Sequence, residues 1–289
     1  MILIPQRLFD SPSVKTIFRD GNVCILKKSL NEPVENREGY ISNHVVSIVL
    51  AGEQKITTYE EEEIQVRAGE VVFIPRGLYY ITDLLPSDGA FESVLFYFDE
   101  ALIEQFLSKT KVSQLEREAI PEFLKFGQVP MLQLFVKSLL ALYGQGDTAD
   151  KQILDLKILE LLFLLNSQVK APDFASFLFK LTLPQKRNIK TFMEQNYQKA
   201  LKVEDYAYLT GRSMSSFRRD FKAYFDMTPQ KWLIGKRINQ AQSILDQREV
   251  NVTDLAEEVG YENVSYFIKE FKAQVGLTPK QYMLSLRKN

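Results

Sequence analysis

One histidine, one cysteine and one tryptophan are all that a chain of 289 residues holds of these three types. A catalytic metal centre draws several imidazole, thiolate or carboxylate ligands onto one ion, and His44 alone cannot supply the imidazoles. Neither His44 nor Cys24 has a recognisable partner set for nucleophilic catalysis, so no catalytic residue, no metal and no cofactor are expected. His44 opens an apolar run and reads as a structural histidine; Cys24 reads as a small core residue. A lone cysteine also excludes an intrachain disulfide, which suits a reducing, cytoplasmic setting. Long apolar runs are missing as well. The most apolar stretch, Ile158 to Leu165, is interrupted by Glu160 and falls far short of the roughly 20 residues that span a bilayer. The opening MILIPQRLFDSPS lacks the basic flank and unbroken apolar core of a secretory signal. No membrane association is expected.

The length allows two domains, each with its own core. A net charge of −1 conceals a division. From Pro184 onward, 18 Lys and Arg stand against 12 Asp and Glu, whereas the rest of the chain holds 18 against 25. A basic third beside an acidic remainder fits a polyanion-binding module joined to a separate partner domain.

The first part favours short strands. Val23–Lys27, His44–Leu50, Glu53–Tyr59, Glu63–Val66, Val71–Ile74 and Phe91–Phe98 are rich in β-branched and aromatic residues, and Ala51-Gly52, Ala68-Gly69 and Pro75-Arg76-Gly77 separate them. Such a series predicts a small barrel or jelly roll. Beyond Glu100 the period turns helical, first at Leu102, Phe106 and Leu107, then at Met131, Leu134, Phe135, Leu139 and Leu142. A third stretch, Ile153 to Leu165, is apolar on more than one face and must bury against its own domain or a second subunit. Residues 167–183 mix polar, Pro and apolar types and are expected to be a linker. The predicted fold class is α+β. Residues 1–166 form a β-barrel (about 14–98) with helices (about 100–166), and 184–289 form an all-helical domain.

That last domain carries a duplicated segment. Phe217–Leu233 (FRRDFKAYFDMTPQKWL) and Phe267–Met283 (FIKEFKAQVGLTPKQYM) share Phe, an acidic residue, Phe-Lys-Ala and Thr-Pro in register, 50 residues apart. One supersecondary unit therefore occurs twice. In each, a short helix (Val203–Thr210, Val252–Val259) meets a glycine turn (Gly211, Gly260) and then a longer helix, the first capped by Ser213. Pro184–Gln198 opens the domain as a helix, and Thr228 caps a connecting helix from Pro229 to about Asp246. Phe217/Phe221 and Phe267/Phe271 lie four apart and share the buried face. Outward then point Met214, Ser215, Arg218 and Arg219 in the first unit, and Asn263, Val264, Ser265, Ile268 and Lys269 in the second. These are the candidates for DNA base edges. Arginine suits guanine, and the apolar side chains suit thymine methyls. Arg212, Lys222, Thr228, Lys272 and Thr278 are the candidates for phosphate.

Leu255-Ala256, Gly260-Tyr261, Ser265-Tyr266-Phe267, Phe271-Lys272, Gly276 and Thr278-Pro279 with Tyr282 closely resemble the AraC family of bacterial transcription regulators. Arg237-Ile238, Ala241 and Ile244-Leu245 of the connecting helix match as well; Tyr206 departs from the usual smaller aliphatic residue. Upstream, Ala68 to Gly77 resembles the second cupin motif, in which a strand ends at a Pro-x-Gly corner, with Tyr80 or a neighbour in place of its final histidine. The first domain is thus cupin-like. Arg67-Ala-Gly-Glu-Val-Val-Phe-Ile-Pro-Arg76 and Leu156-Lys-Ile-Leu-Glu-Leu-Leu162 resemble the activators of type III secretion within that family. The resemblance implies a promoter-DNA-binding activator that works with RNA polymerase. Control would come from an unidentified small effector or protein at the first domain, through which the chain could also form a homodimer. Lys27, Lys28 and Tyr80 are candidates for an anionic ligand there. The rival readings are a cupin-type enzyme with a DNA-binding tail and an architectural binder indifferent to sequence.

Overall fold

The computed structural model describes residues 2–58, 61–112, 123–144, 150–168, 172–183 and 186–286. The chain divides into two compact units, Met1–Leu183 and Pro184–Asn289.

In the first unit, one sheet has the order β1 (Ile2–Ile4), β4 (Val34–Ile41), β9 (Gly77–Leu84), β6 (Glu53–Thr58) and β7 (Glu63–Arg67). The other runs β11 (Leu124–Phe126), β8 (Val71–Ile74), β5 (His44–Ala51), β10 (Phe91–Phe98), β3 (Val23–Leu30) and β2 (Val14–Asp20). All pairings are antiparallel except β1 with β4. Strands β5, β8 and β10 of the six-stranded sheet are buried on both faces, which is why they read as nearly continuous apolar runs. Cys24, Leu26, Val45, Val49, Ile74, Leu95 and Tyr97 face the other sheet. Their alternates Ile25, Val46, Ile48, Phe73, Phe96 and Phe98 face a layer of helices. The expected barrel or jelly roll takes the form of two stacked sheets, beginning at Ile2 and gaining a strand at Leu124–Phe126.

The helical layer holds α2 (Glu100–Leu107), α3 (Pro130–Tyr143), α4 (Lys151–Gln168) and α5 (Pro172–Thr182); a short α1 (Gln6–Phe9) precedes the strands. Asp99 accepts the Leu102 amide and starts α2, and Pro130 occupies the first turn of α3. The apolar α4 buries Leu154, Ile158, Leu161, Leu162 and Leu165 against the sheet side. The linker expected at 167–183 is corrected by α5. Its Phe174, Ala175, Phe177 and Leu178 are buried in the same core, and Phe177 meets Phe73 edge-on at 5.1 Å.

Between the sheets lies a mostly apolar cavity of about 70 Å³. Ser47, Gln54 and Asp83, all buried, run through its lining: Ser47 donates to Gln54 (2.9 Å), Gln54 donates to Asp83 (2.7 Å), and Lys28 pairs with Asp83. Lys27 pairs with Glu92 at 3.0 Å. Each of the two lysines expected to await an anion therefore already has a carboxylate. His44 is fully buried; its Nδ1 accepts the Arg76 amide at 3.2 Å, which leaves the ring proton on Nε2, facing Glu100 at 3.6 Å. Burial pushes the Cys24 thiol well up, as an inert core cysteine requires. Among the described residues, no helix is long and apolar enough to cross a membrane, and no group of His, Cys, Asp and Glu is arranged to hold a metal.

Candidate nucleic-acid interface

The second unit is helical throughout: α6 (Ile189–Asn196), α7 (Val203–Leu209), α8 (Met214–Phe225), α9 (Pro229–Gln247), α10 (Val252–Glu258), α11 (Val264–Val275) and α12 (Pro279–Leu286). Pro184, expected in the first turn of the opening helix, lies outside the described residues, and that helix starts at Ile189 behind the Asn188 cap. The two repeats fold alike because their local signals are alike. Ser213 accepts the Ser216 amide to start α8, and Asn263 accepts the Tyr266 amide to start α11. Each helix ends on a left-handed residue, Asp226 in the first copy and Gly276 in the second. Each next helix opens with Thr-Pro, the hydroxyls of Thr228 and Thr278 accepting the amides of Lys231 and Gln281.

Packing then decides which face is left over. Phe217, Phe221, Phe267 and Phe271 are fully buried. Phe221 sits 5.7 Å from Trp232 of α9, and Phe271 sits 5.8 Å from Tyr282 of α12. Both α8 and α11 pack on α9, so one helix carries both units. Tyr206, the departure from the family pattern, is fully buried and donates to the Asn196 carbonyl at 2.8 Å; burial pushes its phenol up to about 12.

On the outer face of α8, Ser215, Arg218 and Arg219 are exposed and Met214 is half-buried. Arg219, at 76% side-chain exposure, is tethered to Asp220 by Nε and Nη2, both at 3.2 Å. On α11, Ser265 and Lys269 are exposed, whereas Val264 and Ile268 are half-buried against the core beneath. The acceptor oxygen of Asn263 is spent on its own helix, which leaves its amide donors.

The phosphate candidates divide. Lys222, Lys272 and Thr228 are exposed. Arg212 is not available: its side chain is only 9% exposed, and it binds Asp220 at 3.0 Å and the carbonyls of Arg187 (2.9 Å) and Thr210 (2.7 Å). It is a structural residue, because a guanidinium so placed satisfies three acceptors at once. Its hydrogen bond is the first cause that holds the Asp220 carboxyl below the ordinary range, followed by Arg219 after the opposing effect of burial. Thr278 is committed too, with its amide and hydroxyl both donating to Gln281. Missed at the level of sequence were Asp220, which aims Arg219, and the exposed Tyr266 on α11. An acidic residue beside paired arginines was the available signal for the first; the second was hidden within an apolar-looking Ser-Tyr-Phe.

Comparison with known proteins falls on both units. A family model described as the ExsA N-terminal regulatory domain matches residues 44–177, and one described as a helix-turn-helix domain matches 206–285. The HTH-type transcriptional regulator ExsA of Pseudomonas aeruginosa is 26% identical over 243 residues, covering 82% of this chain and 84% of that protein. The virulence regulon transcriptional activator VirF of Yersinia enterocolitica is 27% identical over 239 residues, covering 79% of this chain and 83% of that protein. The thermoregulatory protein LcrF of Yersinia pestis is 27% identical over the same length and shares.

Proposed function

The chain belongs to the AraC family of DNA-binding transcription regulators, and we propose that it activates promoters by reading two DNA segments with α8 and α11 at once. The observation that carries this is the matched pair of capped helices on one connecting helix, each with its phenylalanines buried and its polar face exposed. An α-helix fits the major groove, where base edges carry a distinguishable donor and acceptor code. Arg218 is the first candidate for guanine O6 and N7. Arg219 approaches from its tether on Asp220, and Lys269 acts as a point donor. Met214, Ser215, Ser265, Val264 and Ile268 supply van der Waals and hydroxyl contacts, and Asn263 offers its amide hydrogens. Lys222, Lys272 and Thr228 hold phosphates, which set affinity and register but carry no base information. The 19 residues of α9 span about 28 Å at 1.5 Å each, comparable to the roughly 34 Å between successive major-groove faces on one side of a duplex.

The first unit is the regulatory half. A small effector in the inter-sheet cavity is one route, and it acts only if it binds two states of the protein unequally. A protein partner is the other. Homodimerisation is supported by α3, where Met131, Leu134 and Leu142 are 48%, 68% and 68% exposed along one side of the helix. RNA polymerase is the partner on the promoter, and the cytoplasm is the place of action. The subgroup reading, an activator of type III secretion genes, rests on the ExsA-type first domain.

Selection of bound duplexes from a randomised library tests the proposal. A regulator binds its selected site about 10³-fold or more tightly than random DNA at the same salt. An architectural binder shows near-equal affinity for both and would displace this reading. Arg218→Ala should relax base preference at one half of the site and leave the other half unchanged.

A further inference from the structure

The end of α6 is a junction where both helix-turn-helix units meet. Past Asn196 the chain turns out of the helix, where Asn196 and Lys199 accept the local amides of Lys199 and Leu201. Two side chains from elsewhere donate to carbonyls of this turn, and a glycine from the second helix-turn-helix unit packs against it. From the first unit, the Tyr206 hydroxyl reaches Asn196 (2.8 Å) and Lys199 (3.2 Å). From the connecting helix, Arg237 donates to Tyr197 (2.8 Å), Lys199 (2.5 Å) and Leu201 (3.4 Å). From the second unit, Gly260 lies so close that a Cβ there would stand 2.5 Å from the Gln198 oxygen and 3.2 Å from Arg237 Nε. The Arg237 guanidinium also lies 5.7 Å from the ring of Tyr261, the residue that follows Gly260 into the second reading helix.

A planar cation suits this place for two reasons. The C-terminal end of a helix presents partial negative charge, and a fork of donors binds several carbonyls in one fixed orientation. An ammonium or an apolar side chain reproduces only part of that. Arg237 thus sits on the one helix common to both units, and it touches the first through the α6 terminus and the second through Tyr261.

We propose that Arg237 is a positioning residue that fixes the register between the two units, so that the protein accepts its two half-sites at one spacing only. The proposal rests on the reading that α8 and α11 both contact DNA. One base pair inserted between half-sites turns the second by about 35° and moves it by about 3.4 Å. A locked pair of readers cannot follow that displacement without losing base contacts on one side.

The test uses the full chain and the duplex selected as above, together with versions carrying one base pair more or fewer between the half-sites. Wild type should lose at least about tenfold in affinity at either altered spacing, the scale of one lost base contact. Arg237→Lys and Arg237→Met should bring the ratio between native and altered spacing to within about threefold. A residue that merely stabilised the fold would lower affinity for all three duplexes together and leave the ratio unchanged. Retention of the wild-type ratio in folded Arg237→Lys overturns the proposal. Near-equal wild-type affinity for the three duplexes overturns it as well, whether or not either variant folds. Failure of selection to yield any preferred site would remove the reading itself, which is a different result from a preferred site that tolerates altered spacing.

Discussion

Two glycines in the DNA-binding unit have nearly the same backbone angle and opposite surroundings, which turns alanine substitution into a controlled comparison. Gly260 has φ +87° and Gly276 has φ +84°. A residue with a Cβ loses about 1–2 kcal/mol in this left-handed region, offset by about 0.4–1 kcal/mol from a less flexible unfolded chain. Gly276→Ala meets nothing within 4 Å, so its net cost is the strain alone, about 1 kcal/mol. Gly260→Ala adds a Cβ at 2.5 Å from the Gln198 oxygen and 3.0 Å from its carbonyl carbon. The obstacle is backbone at the α6 terminus, which cannot swing aside as a long side chain would. An overpacked interior of this kind costs a further 1–3 kcal/mol or so, giving roughly 2–4 kcal/mol in total. The chain's single tryptophan, Trp232, is buried in this same unit, 6.1 Å from Tyr197. Urea unfolding of the full chain followed by its fluorescence therefore reports on the DNA-binding unit. With a slope near 2 kcal/mol per molar urea, Gly276→Ala should move the midpoint down by about 0.5 M and Gly260→Ala by about 1–2 M. Equal midpoints for the two variants would refute the claim that the Gly260 turn is wedged against the backbone at the end of α6.

Other outcomes follow from the same geometry. Asp226→Gly relieves a non-glycine residue at φ 52° and should raise stability by about 0.5 kcal/mol, read by the same fluorescence. Arg212→Ala should lower that midpoint while leaving the base preference of the remaining folded protein intact. Arg218→Ala should do the reverse, and a loss of selectivity in Arg212→Ala would mean its side chain does reach DNA. Glu100 is held at about 2, first by the closeness of His44, whose Nε2 lies 3.6 Å from its carboxylate. A lowered folded-state value contributes stability that is complete above the unfolded value near 4.5 and is lost as pH falls toward 2. The thermal midpoint of the first unit, followed by β-sheet circular dichroism, should therefore fall more steeply between those pH values in wild type than in Glu100→Gln. Identical slopes would remove the pair from the account of acid stability.

The DNA-binding unit was legible because its signals are local. Caps three residues from their amides, phenylalanines four apart and a left-handed stop are all written within single turns of chain. The inner sheet was legible for a related reason: strands such as Phe91–Phe98, buried on both faces, spell themselves as apolar runs. The five-stranded sheet was legible only in part: Glu53–Tyr59 and Glu63–Val66 were expected as strands, whereas Ile2–Ile4, Val34–Ile41 and Gly77–Leu84 were not. Val34–Ile41 (VENREGYI) exposes Glu35 to Arg37, and its register depends on Gly77–Leu84, with paired residues 36 (Ile41 with Gly77) to 49 (Val34 with Asp83) positions apart. Helix α5 was misread because Pro172 and the polar residues before it look like a boundary, whereas Phe174 and Phe177 find their core only in folded space.

Sequence by itself determined that two like helix-turn-helix units exist and which face of each longer helix is buried, since period, caps and breakers act over a few residues. Tertiary structure alone decided what each arginine does. Arg212 and Arg237 look as exposed as Arg218 when written in a line. Yet Arg212 finds acceptors 8 and 25 residues away, and Arg237 finds them about 40 residues away. A guanidinium's role is set by whichever acceptors reach it first, and folding, not chain order, brings them there.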